Sequence, residues 1–160
     1  MPDHLHARSG KQMNKMISIL IPFLNEEDNI AALRDSLEKF CHEQHSIYFE
    51  IIYIDDGSTD DSCRLLQENP VKGAACKLIR LSRNFGSHAA LKAGINHASG
   101  DWITFLYADL QDPLELVTRM HERCEQGYDV VWAERLTTSS GISETLFSRM
   151  YARLMRYFVT

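Results

Sequence analysis

Cysteine is sparse and unpatterned: Cys41, Cys63, Cys76 and Cys124 are the chain's only four, and none forms a CxxC pair. Zinc ribbons and disulfide scaffolds need close, repeated spacing, so these thiols read as small buried or half-buried apolar groups in a reducing compartment. Basic charge is not in excess. Lys plus Arg number 17 against 22 Asp plus Glu, a net charge of −5, which gives no basic stripe for a phosphate backbone and no nucleic-acid partner. No apolar run approaches the ~18 residues of a membrane span, and the amino-terminal residues carry no signal-peptide core. With 8 Gly and 4 Pro in 160 residues, collagen-like and low-complexity chains are excluded. The usual nucleotide loops are missing too. Neither GxGxxG nor GxxxxGK[ST] occurs, which argues against a dinucleotide dehydrogenase and a P-loop NTPase. The histidine pairs His4/His6 and His42/His45 lack acidic or cysteine partners at ligand spacing and read as solvated side chains.

What is present is an ordinary globular composition, 44% hydrophobic and 24% charged. A chain of this length makes one domain that buries ~70% of the surface its unfolded form exposes. Residues 1–15 have no apolar periodicity and read as a flexible tail, leaving 16–160 as the domain. Ile17 to Ile21 is a β-branched run stopped by Pro22, as in a buried strand. Asn25 is placed to cap the next helix, whose apolar face is Ile30, Leu33, Leu37, Phe40 and Cys41. Tyr48–Ile54 predicts a second strand, and Ser58 with Asp61 has capping-box spacing for a helix closed at Asn69-Pro70. Lys77–Leu81 predicts a third strand and Ser87–Ala98 an Ala-rich helix. Asp101–Tyr107 predicts a fourth strand. A helix capped by Asp112 follows, with Leu116, Val117, Met120 and Cys124 on its apolar face. Asp129–Ala133 predicts a fifth strand, and Ile142, Leu146, Met150, Leu154 and Phe158 predict a final helix. Strands that are apolar throughout and alternate with helices imply α/β, a parallel sheet covered on both faces.

In such a sheet, ligands bind beyond the carboxyl ends of the strands. Polar clusters fall at that edge: Asn25-Glu26, Asp55-Asp56-Gly57, Arg83-Asn84, Asp109-Leu110-Gln111-Asp112 and Glu134-Arg135. The set is acid-rich. Carboxylates repel a diphosphate but hold a divalent cation that bridges to it, and Mg²⁺ or Mn²⁺ takes carboxylate and phosphate oxygens together. Asp109 and Gln111 suit the cation, Arg135 suits a phosphate, and Asp55 and Asp56 suit a base or ribose.

The stretches SILIPFLNEE (18–27), IDDGSTDDS (54–62), LSRNFGSHAALKAG (81–94) and ADLQDPLE (108–115) resemble family-2 glycosyltransferases of GT-A type. The nearest branch is that of dolichyl-phosphate mannosyltransferase and the undecaprenyl-phosphate glucosyltransferases. The likeness runs from Met16 to about Arg135. It implies a GT-A sheet, a UDP- or GDP-linked sugar donor, Mg²⁺ or Mn²⁺, and inversion at the anomeric carbon. It also implies a lipid-phosphate acceptor, hence a cytoplasmic protein working at the cytoplasmic face of a membrane. Position by position, Pro22, Phe23, Asn25, Glu26, Asp55 and Asp56 would line the nucleotide pocket, with Arg83 and Asn84 near the donor. Asp109 and Gln111 would hold the metal, and Asp109 and Arg135 would serve catalysis. Two departures stand out. Tyr107 occupies the position where the family's metal-binding stretch opens with Asp. Family members also continue past this length, so the chain reads as the donor-binding portion of a longer fold.

The rival from another class is a degenerate module of the same fold that binds a nucleotide or a partner without turnover. Its working surface would be the 143–160 helix, where Arg149, Arg153 and Arg156 flank apolar positions that suit an anionic membrane. The plainer reading packs that apolar face on the sheet. A sugar nucleotidyltransferase would need a basic glycine-rich loop where this chain has Asn25-Glu26-Glu27-Asp28, an acidic turn that repels a triphosphate.

Overall fold

A computed structural model describes residues 15–133. Strand β1 (Lys15–Phe23) leads to helix α1 (Glu27–Glu43), β2 (Ile47–Asp55) to α2 (Ser62–Glu68), β3 (Ala75–Arg80) to α3 (Ser87–Ile95), and β4 (Trp102–Phe105) to α4 (Glu115–Glu125). All pairings are parallel and the order is β3-β2-β1-β4. The α/β expectation holds. β1 and β2 are the centre, each buried over its last seven residues, which is why they read as nearly continuous apolar runs, interrupted by Ser18, Glu50 and the terminal Asp55, rather than alternating ones.

Side-chain alternation splits the interior in two. Ile17, Ile19, Ile21 and Phe23 of β1 meet Phe49, Ile51 and Tyr53 of β2 under α1, α2 and Val117 of α4. All five apolar residues expected on α1 are buried there. On the opposite face Leu20, Ile52 and Ile54 pack against Ala90 of α3. That face also buries a polar network toward the amino ends of the strands. Glu50, 3% exposed, accepts from Ser18 Oγ at 2.5 Å, Ser99 N at 2.8 Å and Ser99 Oγ at 3.0 Å, and pairs with Lys77 Nζ at 2.6 Å. Gly100 fits against Ser18 because a Cβ there would sit 2.7 Å from the Ser18 nitrogen. The network ties β1, β2 and β3 to the α3–β4 connection and fixes where β4 starts.

Several local expectations are corrected. β1 begins at Lys15, within the segment read as tail. Asp129–Ala133 forms no strand: Val130 and Trp132 are 66% and 81% exposed, and among the described residues no ladder partner or helix covers them. Of the α4 apolar face only Val117 is buried. The helix starts are capped differently from the sequence pattern. Glu26, Asp61 and Leu114 occupy the N-cap positions of α1, α2 and α4, and none makes a side-chain cap bond. The expected tail before residue 15, Arg135 and the 143–160 helix lie outside the described residues.

The order of strands reverses beside β1: the chain runs outward through β2 and β3, then crosses back to place β4 on the other side. The crevice at such a reversal, above the carboxyl ends of β1 and β4, is where an open α/β sheet binds ligands.

Candidate functional site

Two loops at that edge are laced together by side chains of each acting on the backbone of the other. The β1–α1 turn, with Asn25 at φ +54°, donates Asn25 N to Ser58 Oγ and Glu26 N to Ser62 Oγ, both at 2.9 Å. Glu27 N donates to Asp60 Oδ2 at 3.1 Å. In return Thr59 N donates to Asn25 Oδ1 at 2.9 Å and Asp61 N to Glu27 Oε2 at 3.0 Å. The N–H of Glu27 in the first turn of α1 is thus satisfied from the β2–α2 loop, and that of Glu26 before it from the first residue of α2. Glu26 itself accepts from Asn29 Nδ2 at 2.6 Å.

Asp55 ends β2 with no exposure. Its Oδ1 accepts Ser58 N at 2.7 Å; its Oδ2 accepts the Cys63 thiol and Arg80 Nε, each at 3.0 Å. Burial alone would raise its pKa, yet the hydrogen bonds from Cys63, Ser58 and Arg80 outweigh burial and hold it below the usual carboxylate range. Burial first, and then the neighbouring carboxylate, push the Cys63 thiol up to about 12. It is a neutral donor.

Asp56, also buried, holds the next loop. Its oxygens accept Phe85 N at 2.8 Å and Gly86 N at 2.9 Å. Asn84 Oδ1 shares the Gly86 N–H at 3.0 Å. The loop crosses so close over Gly57 that a Cβ there would meet the Arg83 carbonyl carbon at 2.6 Å. Arg83 and Asn84 are exposed, and the Arg83 guanidinium lies 4.8 Å from the Phe85 ring centre.

Beyond β4, Leu106 and Ala108 enter the core while Tyr107 and Asp109 are exposed. Leu110 at φ +55° turns the chain, and Gln111 N donates to Asp109 Oδ1 at 3.2 Å.

Of the residues expected from sequence, Asn25 and Glu26 are joined to the Asp55 loop, and Asp56, through Phe85 N and Gly86 N, holds the loop that carries Arg83 and Asn84. Asp109 and Gln111 share the fourth loop of the edge. Pro22 and Phe23 present no open surface: both are buried, and Phe23 packs in the core beneath α1, leaving half-exposed Leu24 as the tip of β1. Sequence reasoning passed over the residues that build the frame. Ser58 and Ser62 lie inside the IDDGSTDDS stretch, and Arg80 is the charge that ends the third strand, in register with Asp55. Those were the available signals.

A model of the family described as "Glycosyl transferase family 2" matches residues 18–159. The chain belongs to glycosyl transferase family 2. An undecaprenyl-phosphate 4-deoxy-4-formamido-L-arabinose transferase of Klebsiella pneumoniae (strain 342) is 39% identical over 143 residues, 89% of this chain and 43% of that protein. The chain therefore spans less than half the length of this relative. The fold is that of Staphylococcus aureus TarS 1–349 in complex with UDP-GlcNAc (TM-score 0.60, 19% identity, 78% of this chain and 38% of that one). It is also that of the mannosyltransferase PcManGT from Pyrobaculum calidifontis in complex with GDP-Man and Mn²⁺ (TM-score 0.53, 22% identity, 61% of this chain and 28% of that one). The GT-A sheet expected from the resemblance is the sheet observed.

The family implies a divalent cation, and the donors at the fourth loop fit one. Asp109 offers a carboxylate and Gln111 an amide oxygen, both exposed, and hard oxygen donors are what Mg²⁺ and Mn²⁺ take. Among the described residues no three His, Cys, Asp or Glu side chains gather as a closed metal cage. No described helix is long and apolar enough to cross a membrane.

Proposed function

We propose that this chain binds a UDP- or GDP-linked sugar together with Mg²⁺ or Mn²⁺ and forms the donor half of an inverting glycosyltransferase whose acceptor is a polyprenyl phosphate. The observation that carries this reading is that four polar loops follow the carboxyl ends of the four parallel strands, at one edge of the sheet beside the strand-order reversal. Those loops hold Asn25 and Glu26, Asp55 and Asp56, Arg83 and Asn84, and Asp109 and Gln111.

In this reading Asn25, Glu26, Asp55 and Asp56, above Pro22 and Phe23, shape the nucleotide pocket. Asp55 does so by fixing the turn, since its oxygens are engaged below the surface. Arg83, Asn84 and Arg135 face the diphosphate, and Asp109 and Gln111 hold the cation. When bound, the cation neutralises charge on the departing diphosphate. The acceptor's phosphate oxygen attacks the anomeric carbon from the face opposite the diphosphate, and the nucleoside diphosphate leaves with the bonding electron pair. A lipid phosphate is already ionised at neutral pH, so it needs no strong general base, and none stands among these residues. The acceptor class comes from the names of the relatives. In this reading the protein works at the cytoplasmic face of a membrane, where Arg149, Arg153 and Arg156 would make peripheral contact with anionic lipid.

Calorimetric titration with UDP, GDP and their sugar conjugates, with and without Mn²⁺, beside Asp109→Ala, tests the reading. Metal-dependent binding of one nucleotide, lost in the variant, is the expected result. Nucleotide binding indifferent to metal would instead favour the degenerate module, which Tyr107 in place of an acid supports. No nucleotide binding by the folded chain would overturn the donor site.

A further inference from the structure

The mainly apolar side chain of Phe85 is 50% exposed on the third loop of the edge, outside both packed interiors. An exposed phenylalanine on a loose loop needs no explanation. This loop is not loose. The backbone N–H of Phe85 and that of the next residue are both held by Asp56, and the loop is seated on Gly57, where any side chain would collide with it. The ring is fixed from the other direction as well, because the Arg83 guanidinium lies 4.8 Å from its centre. A buried carboxylate, a required glycine and a cation over the ring together hold one aromatic plane at the ligand edge with half its surface open.

We propose that Phe85 is the stacking platform for the nucleobase of the donor, with Arg83 held by the same ring for the diphosphate. This rests on the donor-binding reading above and adds Phe85 to the residues assigned there. Ring stacking tolerates any base, because every base has a π face, whereas the guanidinium engages phosphate oxygens. One rigid loop thereby contacts both ends of a nucleoside diphosphate.

The test is calorimetry of the full 160-residue chain with UDP, with GDP and with inorganic pyrophosphate, each with Mn²⁺, for the wild type, Phe85→Ala and Phe85→Trp. Circular dichroism confirms folding, which a half-exposed loop residue should not disturb. Phe85→Ala is expected to weaken nucleotide binding about tenfold while pyrophosphate binding stays within about twofold. Phe85→Trp is expected to retain nucleotide affinity and to show indole quenching on binding. Unchanged nucleotide affinity in Phe85→Ala overturns the platform while leaving the donor site standing. So does an equal loss of pyrophosphate, which would mean that the ring acts only by positioning Arg83. A wild-type chain that binds neither nucleotide nor pyrophosphate overturns the donor site and the platform together.

Discussion

The thiol of Cys63 donates to Asp55 Oδ2 at 3.0 Å, and both residues are buried. With its pKa pushed to about 12 by burial and by that carboxylate, the thiol stays protonated across the working range and serves as a fixed donor. Cys63→Ala leaves a buried carboxylate one donor short and is expected to destabilise the chain by ~1–3 kcal/mol, whereas Cys63→Ser restores a donor and most of the loss. Urea denaturation of the two variants separates the hydrogen bond from mere packing. Equal loss in both would assign the cost to packing alone.

Glu50 makes the fold acid-sensitive. Its burial favours the neutral acid, yet the bonds from Lys77, Ser18 and Ser99 outweigh burial and hold its pKa at about 2, below its ordinary 4.5. A depressed folded-state pKa contributes stability that is complete above the unfolded value and is lost as pH falls through the folded one. The contribution, on the order of 3 kcal/mol, should therefore fade between about pH 4.5 and pH 2. Urea midpoints measured from pH 7 to pH 2.5 should drop along this limb, and Glu50→Gln should flatten much of it. Asp55, also held low, leaves a residual slope. An unchanged slope in Glu50→Gln would remove Glu50 as the cause.

Gly57 is where the second loop meets the third. At φ +89° a side chain is strained, and a Cβ would lie 2.6 Å from the Arg83 carbonyl carbon and 2.7 Å from Asn84 N. These are backbone atoms that cannot swing aside. Gly57→Ala should cost more than about 2 kcal/mol and displace the Arg83–Asn84 segment. Faster amide exchange at Phe85 and Gly86, whose N–H groups point to Asp56, would report the displacement. Native-like protection would show that the loop accommodates the methyl.

The centre of this fold was legible because its signals are local. β1 and β2 are apolar on both faces, and α1 shows its buried side at helical spacing, so composition and period suffice. The caps were misread because the groups that serve them are far away in sequence: Ser62 reaches Glu26 N, and Asp60 reaches Glu27 N. No pattern within one helix announces a partner more than thirty residues away. Asp129–Ala133 was misread for the complementary reason. Its β-branched and aromatic residues suit a strand, but a parallel strand exists only where a neighbour and a cover are supplied. The polar edge was legible as a set of loops, while the roles of individual carboxylates were not. Nothing in IDDGSTDDS distinguishes Asp55, bound inward to Cys63 and Arg80, from Asp56, bound across to Phe85 and Gly86.

Tyr107 offers the sharpest test of the metal assignment. It is 47% exposed, two residues before Asp109, with its ring edge-on to Phe105 at a centroid distance of 6.3 Å. Since half its surface is open, replacing it removes little packing, and an acid there is solvated. If Asp109 and Gln111 hold Mg²⁺ or Mn²⁺ with the donor's phosphates, Tyr107→Asp adds a second carboxylate to the oxygen set. Divalent cations of this kind bind through one or two carboxylates plus phosphate. The variant should therefore bind Mn²⁺ at least about tenfold more tightly in the presence of nucleoside diphosphate. Electron paramagnetic resonance of free Mn²⁺ measures this directly, and chelation with EDTA should lower nucleotide affinity in both proteins. Tighter binding that Asp109→Ala abolishes would place the cation at this loop. Mn²⁺ affinity indifferent to both substitutions would remove Asp109 and Gln111 from the metal site.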